Sequence, residues 1–422
     1  MNRISVDTLF KVFLTLYVVF MMTVLKFSLG LTSISLIFNG LIFVVAIFVI
    51  LYGLVSSKFA LLPSVLLISV FFLISSSLLN LFVNWSPSGP LQVSTYLLPW
   101  LALIMVLVNR EVACRNYRSI WVLGNNFFVF ICFAGLCEYV AIYTLGYRPP
   151  IIELDTGMGE YYVGYSTLLQ KIPDLDIPYF RFQGPFGESG DLAMWASVFI
   201  VYNLLRRQYA YAAVLAVAIF GAFSPSAFIS LFVAFLIYIR SRSALIMPTV
   251  VLFTCVAIGI FLTDIISIYN NIMEMKVGSL GIRAEANLDF IDKLPFLIDA
   301  HPLGVPFFES SNEKIASGVG FSTSYGAIGN YMMGGLMAFL IYIVFTFYLL
   351  FLSAYKIFLS KVSLIENELY MYYLMLFTYT VQRATLIDYA IFPFLFAPLL
   401  FEKVAMKTGY DNLKKTRNLV NQ

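Results

Sequence analysis

Charge is what this sequence has least of. Asp, Glu, Lys and Arg make up only 12% of its 422 residues and 61% are hydrophobic, against roughly 25% charged in a soluble domain. So little charge cannot cover a soluble domain of ordinary size, and none is expected. Histidine is scarcer still, with one residue in the chain, and there are four cysteines. A transition-metal site needs several such ligands at close spacing, so none is expected. Cys114, Cys132, Cys137 and Cys255 form no CxxC pair or disulfide framework. They read as small apolar packing residues, Cys114 in a short basic loop and the others in or beside hydrophobic spans. No Walker motif and no dinucleotide-binding glycine fingerprint after a strand is present, which leaves ATP-driven transport unsupported. Internal repeats and low-complexity tracts are missing too. The net charge of +3 points to no nucleic-acid partner, and its meaning lies in which segments hold the positive residues.

What fills the chain instead is apolar sequence in runs long enough for a helix to cross the ~30 Å hydrocarbon core of a bilayer. Hydropathy predicts spans near 9–28, 33–55, 60–83, 90–108, 120–144, 190–205, 209–223, 226–239, 244–265, 330–353, 367–382 and 385–401. The expected fold is an all-α polytopic membrane protein of about twelve transmembrane helices, a single domain over 1–422. The first run follows a basic residue, but no small-residue cleavage site follows in "MMTVLKFSLGLTS"; it reads as a retained span rather than a signal peptide. With the N-terminus inside, Lys and Arg gather in alternate connections: Arg3 and Lys11, Lys58, Arg110 with Arg115 and Arg118, Arg206 with Arg207, Arg240 with Arg242, Lys356 with Lys361, and the basic tail over 402–422. Both termini are therefore expected in the cytoplasm.

Two long segments, 146–189 and 266–329, then fall outside, and connections of that length are usually functional or disordered. The first, with "YRPPIIELDTGMGEYYVGY" and "IPDLDIPYF", is rich in aromatic residues and prolines, which suits a structured surface lying against sugar rings. The second contains "GIRAEANLDFIDKLPFLIDAHPLG", where Ile282, Leu288, Ile291, Leu294, Leu297 and Ile298 recur at three- and four-residue steps. That spacing predicts an amphipathic helix on the outer membrane surface or on the bundle, kinked at Pro295.

Chemistry-bearing residues collect in these two segments. In "RFQGPFGESGDLAMW", from Arg181 to Trp195, Gly184 and Gly187 flank Pro185 and permit close backbone approach to a ligand. A guanidinium beside backbone N–H groups at a helix N-terminus suits an anion with bidentate oxygens, phosphate above all. Arg181 is that candidate; the alternative is a solvated loop arginine paired with Glu188. Ser189 can cap the span that follows, and Glu188 and Asp191 set negative charge at its positive end. His301, in "AHPLGVP", lies where Pro302 ends the amphipathic helix. Histidine, with an ordinary pKa near 6.5, is the side chain most readily poised as a general base; helix capping or a core hydrogen bond is the alternative. Arg283 stands eighteen residues upstream, five turns of an ideal helix.

Other polar residues are simpler to read. Glu138 is the clearest acid inside a span, costing roughly 3 kcal/mol at the bilayer centre, a cost relieved near the outer end. Arg383 and Asp388 flank the last outside turn and can pair or line the same outer cavity. Asp174 and Asp176 spell D-L-D, a chance match in an outside loop where nucleotide sugars are not expected.

Together these stretches resemble the O-antigen polymerase and ligase superfamily. The matching residues are Arg181 with "GPFGES", "SPSAFISLFVAF" from Ser224, Arg283 before "HPLGVP", and "GNYMMGGLMAFL" from Gly329, with order and topology agreeing over nearly the whole chain. The resemblance implies a GT-C-like fold in the bacterial inner membrane with its active site facing the periplasm. It implies metal-independent glycosyl transfer without a cofactor: undecaprenyl-diphosphate-linked oligosaccharide repeat units are polymerised into O-antigen or a related surface polysaccharide. The Wzy-type polymerase is the nearer branch. It implies diphosphate binding by Arg181 and Arg283, to which Arg383 is added, and His301 or Glu188 as the base on the acceptor hydroxyl. Its partners are the lipid-linked donor and acceptor, membrane lipid, a chain-length regulator protein and a flippase. The ligase branch, which joins polymer to lipid A-core, is the alternative, and His301 holds a place comparable to its outside-loop histidine. Some polymerases carry glycine eleven positions after such an arginine, whereas here those positions are Leu192 and Leu294.

A reading of a different class is a lipid-linked oligosaccharide flippase or other transporter. Transporters bind near the bilayer midplane among broken helices and intramembrane charges, often in two related halves. Here the polar residues gather outside and the halves do not match.

Overall fold

The structure, a computed structural model, describes residues 8, 11–13, 15–16, 41, 44–51, 65–83, 100–146, 161–164, 166–171, 180–186, 189–222, 231–236, 238, 290–304, 326–358, 364–380 and 392–401. Over these the chain is mostly helical. The elements are α1 (Val65–Val83), α2 (Arg110–Leu145), β1 (Tyr161–Val163), β2 (Leu168–Lys171), β3 (Phe180–Gly184), α3 (Ser189–Leu205), α4 (Tyr209–Gly221), α5 (290–300), α6 (Gly326–Phe358), α7 (Leu364–Thr380), α8 (Phe392–Leu395) and α9 (Ala397–Leu400). The expected span 244–265 and the tail 402–422 lie outside the described residues, and the spans 9–28, 33–55, 60–83, 90–108, 209–223, 226–239, 367–382 and 385–401 fall within them only in part.

Two described helices are long and apolar enough to cross a membrane: α2, with 36 residues, and the Gly334–Ile357 part of α6, with 24. At 1.5 Å per residue they measure about 54 and 36 Å, both beyond the ~30 Å hydrocarbon core. Their outer faces carry Phe130, Phe133, Val140, Val344, Phe347 and Phe351, all exposed, which suits lipid rather than water. The length of α2 corrects one expectation. Arg110, Cys114, Arg115 and Arg118 were expected in a loop but lie on this helix, because "REVACRNYRSIW" holds no Gly or Pro to stop it. Cys114 is buried there, its thiol directed at the Ala397 carbonyl oxygen at 3.7 Å.

Helix α3 is the centre of the bundle. Fourteen of its 17 residues are buried, as a helix apolar all round must be. Trp195 and Phe199 stack along one side, and Phe199 meets Trp121 and Phe128 of α2. Gly124 of α2 makes room, since a Cβ there would stand 3.5 Å from the Phe199 ring. One polar contact crosses this interface: the Asn125 and Asn203 amides bond reciprocally at 3.1 and 2.7 Å. Each satisfies a group that would otherwise be costly in an apolar interior.

The segment near 385–401 was expected as one span. Its described part is instead two four-residue helices broken at Phe396. Pro398 has no N–H to continue the ladder, and Leu399 N–H turns to Phe396 O at 2.9 Å. The Leu395 carbonyl accepts instead from Trp121 Nε1 at 3.1 Å.

The two ends of the bundle differ in kind. Five residues separate α6 from α7, so the end of the first lies near the start of the second. Near that start, Arg206, just beyond α3, is ion-paired with Glu368, bonds Tyr372 Oη at 2.8 Å and lies 3.8 Å over the Tyr202 ring. Burial alone works against the Arg206 charge, but Tyr372 and Glu368 outweigh it and raise its pKa. Trp121 of α2 stands 4.4 Å from Tyr372, centroid to centroid. The C-terminal ends of α3 and α6, the start of α7 and the basic start of α2 thus share one end of the bundle. The opposite end receives the starts of α3 and α6 and the close of α2.

At that opposite end the first long segment departs from an all-helical fold. Its strands form a three-stranded antiparallel sheet in the order β1-β2-β3. Tyr, Val, Leu and Phe in short alternating runs favour the pleated form.

Candidate functional site: two polar assemblies at one end of the bundle

The first assembly is the sheet and its passage into α3. Along β3, Arg181 and Gln183 share one face and Phe182 the other, as a two-residue period requires. Phe182 is fully buried. Its ring would touch a Cβ at Gly135 of α2 at 3.0 Å, and its own Cβ one at Gly221 of α4 at 3.2 Å. Tyr139 meets the ring edge to face at 6.0 Å between centroids. Phe182 is thus a wedge, and two glycines form its slot.

Arg181 and Gln183 take the strand face opposite the wedge. Arg181 pairs in register with Gln170 of β2 and is half-buried, whereas Gln183 is fully buried. Gln183 was missed in the sequence, although the alternation R-F-Q before a turn would have marked it as Arg181's neighbour.

Gly184 has φ +57 and carries the chain through a turn closed by Phe186 N–H to Gln183 O at 3.2 Å. What approaches it is Leu192 of α3, 3.0 Å from where a Cβ would stand. This glycine therefore serves packing against α3. Ser189 is already the first residue of α3, with Asp191 the acid of its first turn, so the capping position precedes it. Gly187 and Glu188 lie outside the described residues, as do Asp174 and Asp176.

Glu138 anchors the sheet. Its Oε2 accepts from Ser166 N and Ser166 Oγ, both at 3.0 Å. Gly164, across the β1–β2 turn, lies so close that any Cβ would overlap the carboxylate. Glu138→Leu, which hydropathy alone would favour, is expected to destabilise the protein by about 1–3 kcal/mol because Ser166 N–H loses its acceptor. Thermal melting of Glu138→Leu against Glu138→Gln checks this, the glutamine retaining one acceptor and most of the stability.

The second assembly joins α5 to a break in α6. Phe290, Leu294, Leu297 and Ile298 of α5 lie on Tyr331, Met332, Leu336 and Phe339. The expected stripe is right at Leu294, Leu297 and Ile298, but Ile291 is 62% exposed and Phe290 takes its place. The helix runs through Pro295 as far as residue 300. It closes with His301 N–H on Leu297 O at 2.7 Å, and the His301 carbonyl then accepts from Gly304 N at 3.0 Å and Tyr331 Oη at 3.0 Å. His301 is therefore a helix-ending residue held by its backbone, with its imidazole half-exposed.

The turn 301–304 fills an interruption in α6. Gly334 and Gly335 leave helical geometry, Gly335 with φ +68 and ψ −160. Leu336 N–H, released by that break, donates to Pro302 O at 3.1 Å. Met332 O accepts from Asn80 Nδ2 of α1 at 2.9 Å. Gly304, with φ +98, fits between Met332 O and Asn80, which would stand 2.7 and 2.8 Å from a Cβ. Neither the break nor Asn80 was read from the sequence; a Gly-Gly pair inside an apolar run was the available signal.

The sheet carrying Arg181 and the turn carrying His301 thus lie at the same end of the bundle, in separate clusters. Arg283 and Arg383 lie outside the described residues. Among the described residues no group of His, Cys, Asp and Glu could hold a metal ion. Comparison with protein-family models, curated proteins and solved structures returns no match.

Proposed function

We propose that this protein is a membrane glycosyltransferase that joins polyprenyl-diphosphate-linked oligosaccharide repeat units into a surface polysaccharide, working at the bundle end that holds Arg181 and His301. The observation that carries the reading is this shared end: two stretches 120 residues apart both leave helical form there, one presenting a guanidinium and the other an imidazole. The opposite end holds Arg118 and Arg206, so by the distribution of positive charge it faces the cytoplasm, and the proposed active end faces the periplasm.

In the reaction, the acceptor hydroxyl oxygen bonds to the anomeric carbon of the donor as the bond from that carbon to the diphosphate oxygen breaks. Arg181, with Arg283 and Arg383, stabilises the charge on the departing polyprenyl diphosphate. His301 or Glu188 takes the acceptor proton. The donor brings its own leaving group, so no nucleotide sugar is needed.

The break in α6 bears on the transporter reading. Discontinuous helices of transporters break near the midplane, whereas here the helix from Leu336 to Ile357 follows the break, a full span of about 33 Å. A break ahead of a full-length span fits the membrane boundary better than the midplane, and its freed groups bond α1 and the His301 turn.

Purified protein reconstituted with its lipid-linked repeat unit is expected to yield a ladder of products. Arg181→Ala should lower that yield about a hundredfold, the scale for losing a donor to a developing anion. Transfer of finished polymer to lipid A-core without a ladder would establish the ligase instead. Passage of the lipid-linked unit across the membrane with no new glycosidic bond would establish the transporter.

A further inference from the structure

A groove of about 610 Å³ runs along the outer side of α2, lined among the described residues by Arg118, Ser119, Val122, Leu123, Asn126, Phe127 and Phe130. Its volume lies within the roughly 300–1,000 Å³ usual for small-molecule sites. It starts at the basic end of the bundle and runs toward the middle, so none of these residues belongs to the proposed active end. Val122 and Phe130 are 46% and 62% exposed, which makes the floor accessible from the side.

The two ends of the groove differ chemically. Arg118 closes the first, with its Nε on Tyr117 Oη at 3.2 Å and its Nη groups turned to no hydrogen-bond acceptor among the described residues. From there the lining is mostly aliphatic and aromatic, through Val122, Leu123, Phe127 and Phe130, with one amide between, Asn126, whose Oδ1 accepts from Asn125 Nδ2 at 3.4 Å. The helix from Arg118 to Phe130 rises about 18 Å, close to the ~15 Å depth of one leaflet's hydrocarbon. A cation at headgroup level above an apolar channel one leaflet long matches a phosphate ester carrying an acyl chain.

We propose that this groove is a binding site for an anionic phospholipid of the leaflet at the basic end, its phosphate on Arg118 and one acyl chain along Val122, Leu123, Phe127 and Phe130. An anionic headgroup is favoured because Arg110 and Arg115 stand on the same helix end with a single acid, Glu111, leaving the local potential positive. The site is independent of the glycosyl-transfer reading and would persist if that reading failed.

The full-length protein in detergent, titrated with phosphatidylglycerol and with phosphatidylcholine of identical chains, supplies the test by thermal melting and native mass spectrometry. Phosphatidylglycerol is expected to bind and raise the melting temperature well beyond phosphatidylcholine, and chainless glycerol 3-phosphate to do neither. Arg118→Gln should weaken phosphatidylglycerol about fivefold, the scale of one membrane-proximal cation. Arg118→Lys should retain most of the affinity, and Arg115→Gln should lose much less than Arg118→Gln. Val122→Trp, a filling change at an exposed position, should weaken the same lipid with Arg118 intact. Equal binding of the two lipids, equal losses in Arg115→Gln and Arg118→Gln, or unchanged affinity in Val122→Trp would each overturn the assignment.

Discussion

Gly335→Ala is expected to detach the His301 turn from α6 and to cost about 3 kcal/mol or more. Gly335 has φ +68 and ψ −160, a region open essentially to glycine alone, where any other residue carries about 1–3 kcal/mol of strain. A Cβ would also overlap the Pro302 carbonyl oxygen and the Leu303 backbone. The turn must then move, and Leu336 N–H loses its acceptor, a further 1–3 kcal/mol or so for a buried donor. Thermal melting of the purified variant and proteolysis within 290–304 check this. A variant that melts like the wild type with 290–304 still protected would show that the turn is not held by the break. Asn80→Ala is a milder form of the same test, since it removes only the bond to Met332 O.

Phe182→Ala is expected to cost about 3–5 kcal/mol, the range for truncating a buried phenylalanine. The ring is fully buried and is the point at which the sheet enters the helices, so its loss empties the slot between Gly135 and Gly221. The effect should concentrate in the sheet: proteolysis within 146–189 should accelerate more than cleavage elsewhere, and transfer activity should fall because Arg181 shares the strand. Phe182→Leu should lie well between the two. Equal proteolysis of Phe182→Ala and wild type would show that the sheet is held by Glu138 and its helix junction alone.

Much of this organisation is legible residue by residue. The apolar runs around α2, α3, α4 and α6, the lower stripe of α5 and the end of α5 at His301 all follow from composition and spacing. Hydropathy reads each segment alone, however, and so misjudges groups whose partners are distant. Glu138 looks like a buried cost until Ser166, 28 residues on, supplies two donors. Gly334 and Gly335 look like small residues in a span until the turn 301–304 occupies the break. Gly184 shows in the sequence only as a flexible turn residue, and the fold sets Leu192 of α3 against it.

By itself the sequence determined that the chain is helical and apolar, where charge is scarce, and that Arg181 and His301 lie in the two long polar segments. Those properties depend on side-chain chemistry and short-range periodicity, which any stretch of chain carries with it. Only the tertiary structure decided that α3 is central, that Phe182 pins a sheet between two glycines, and that Arg181 and His301 arrive at the same end of the bundle. These depend on which surfaces meet, and a buried aromatic or a freed backbone group selects its partner by shape and hydrogen bonding across hundreds of residues.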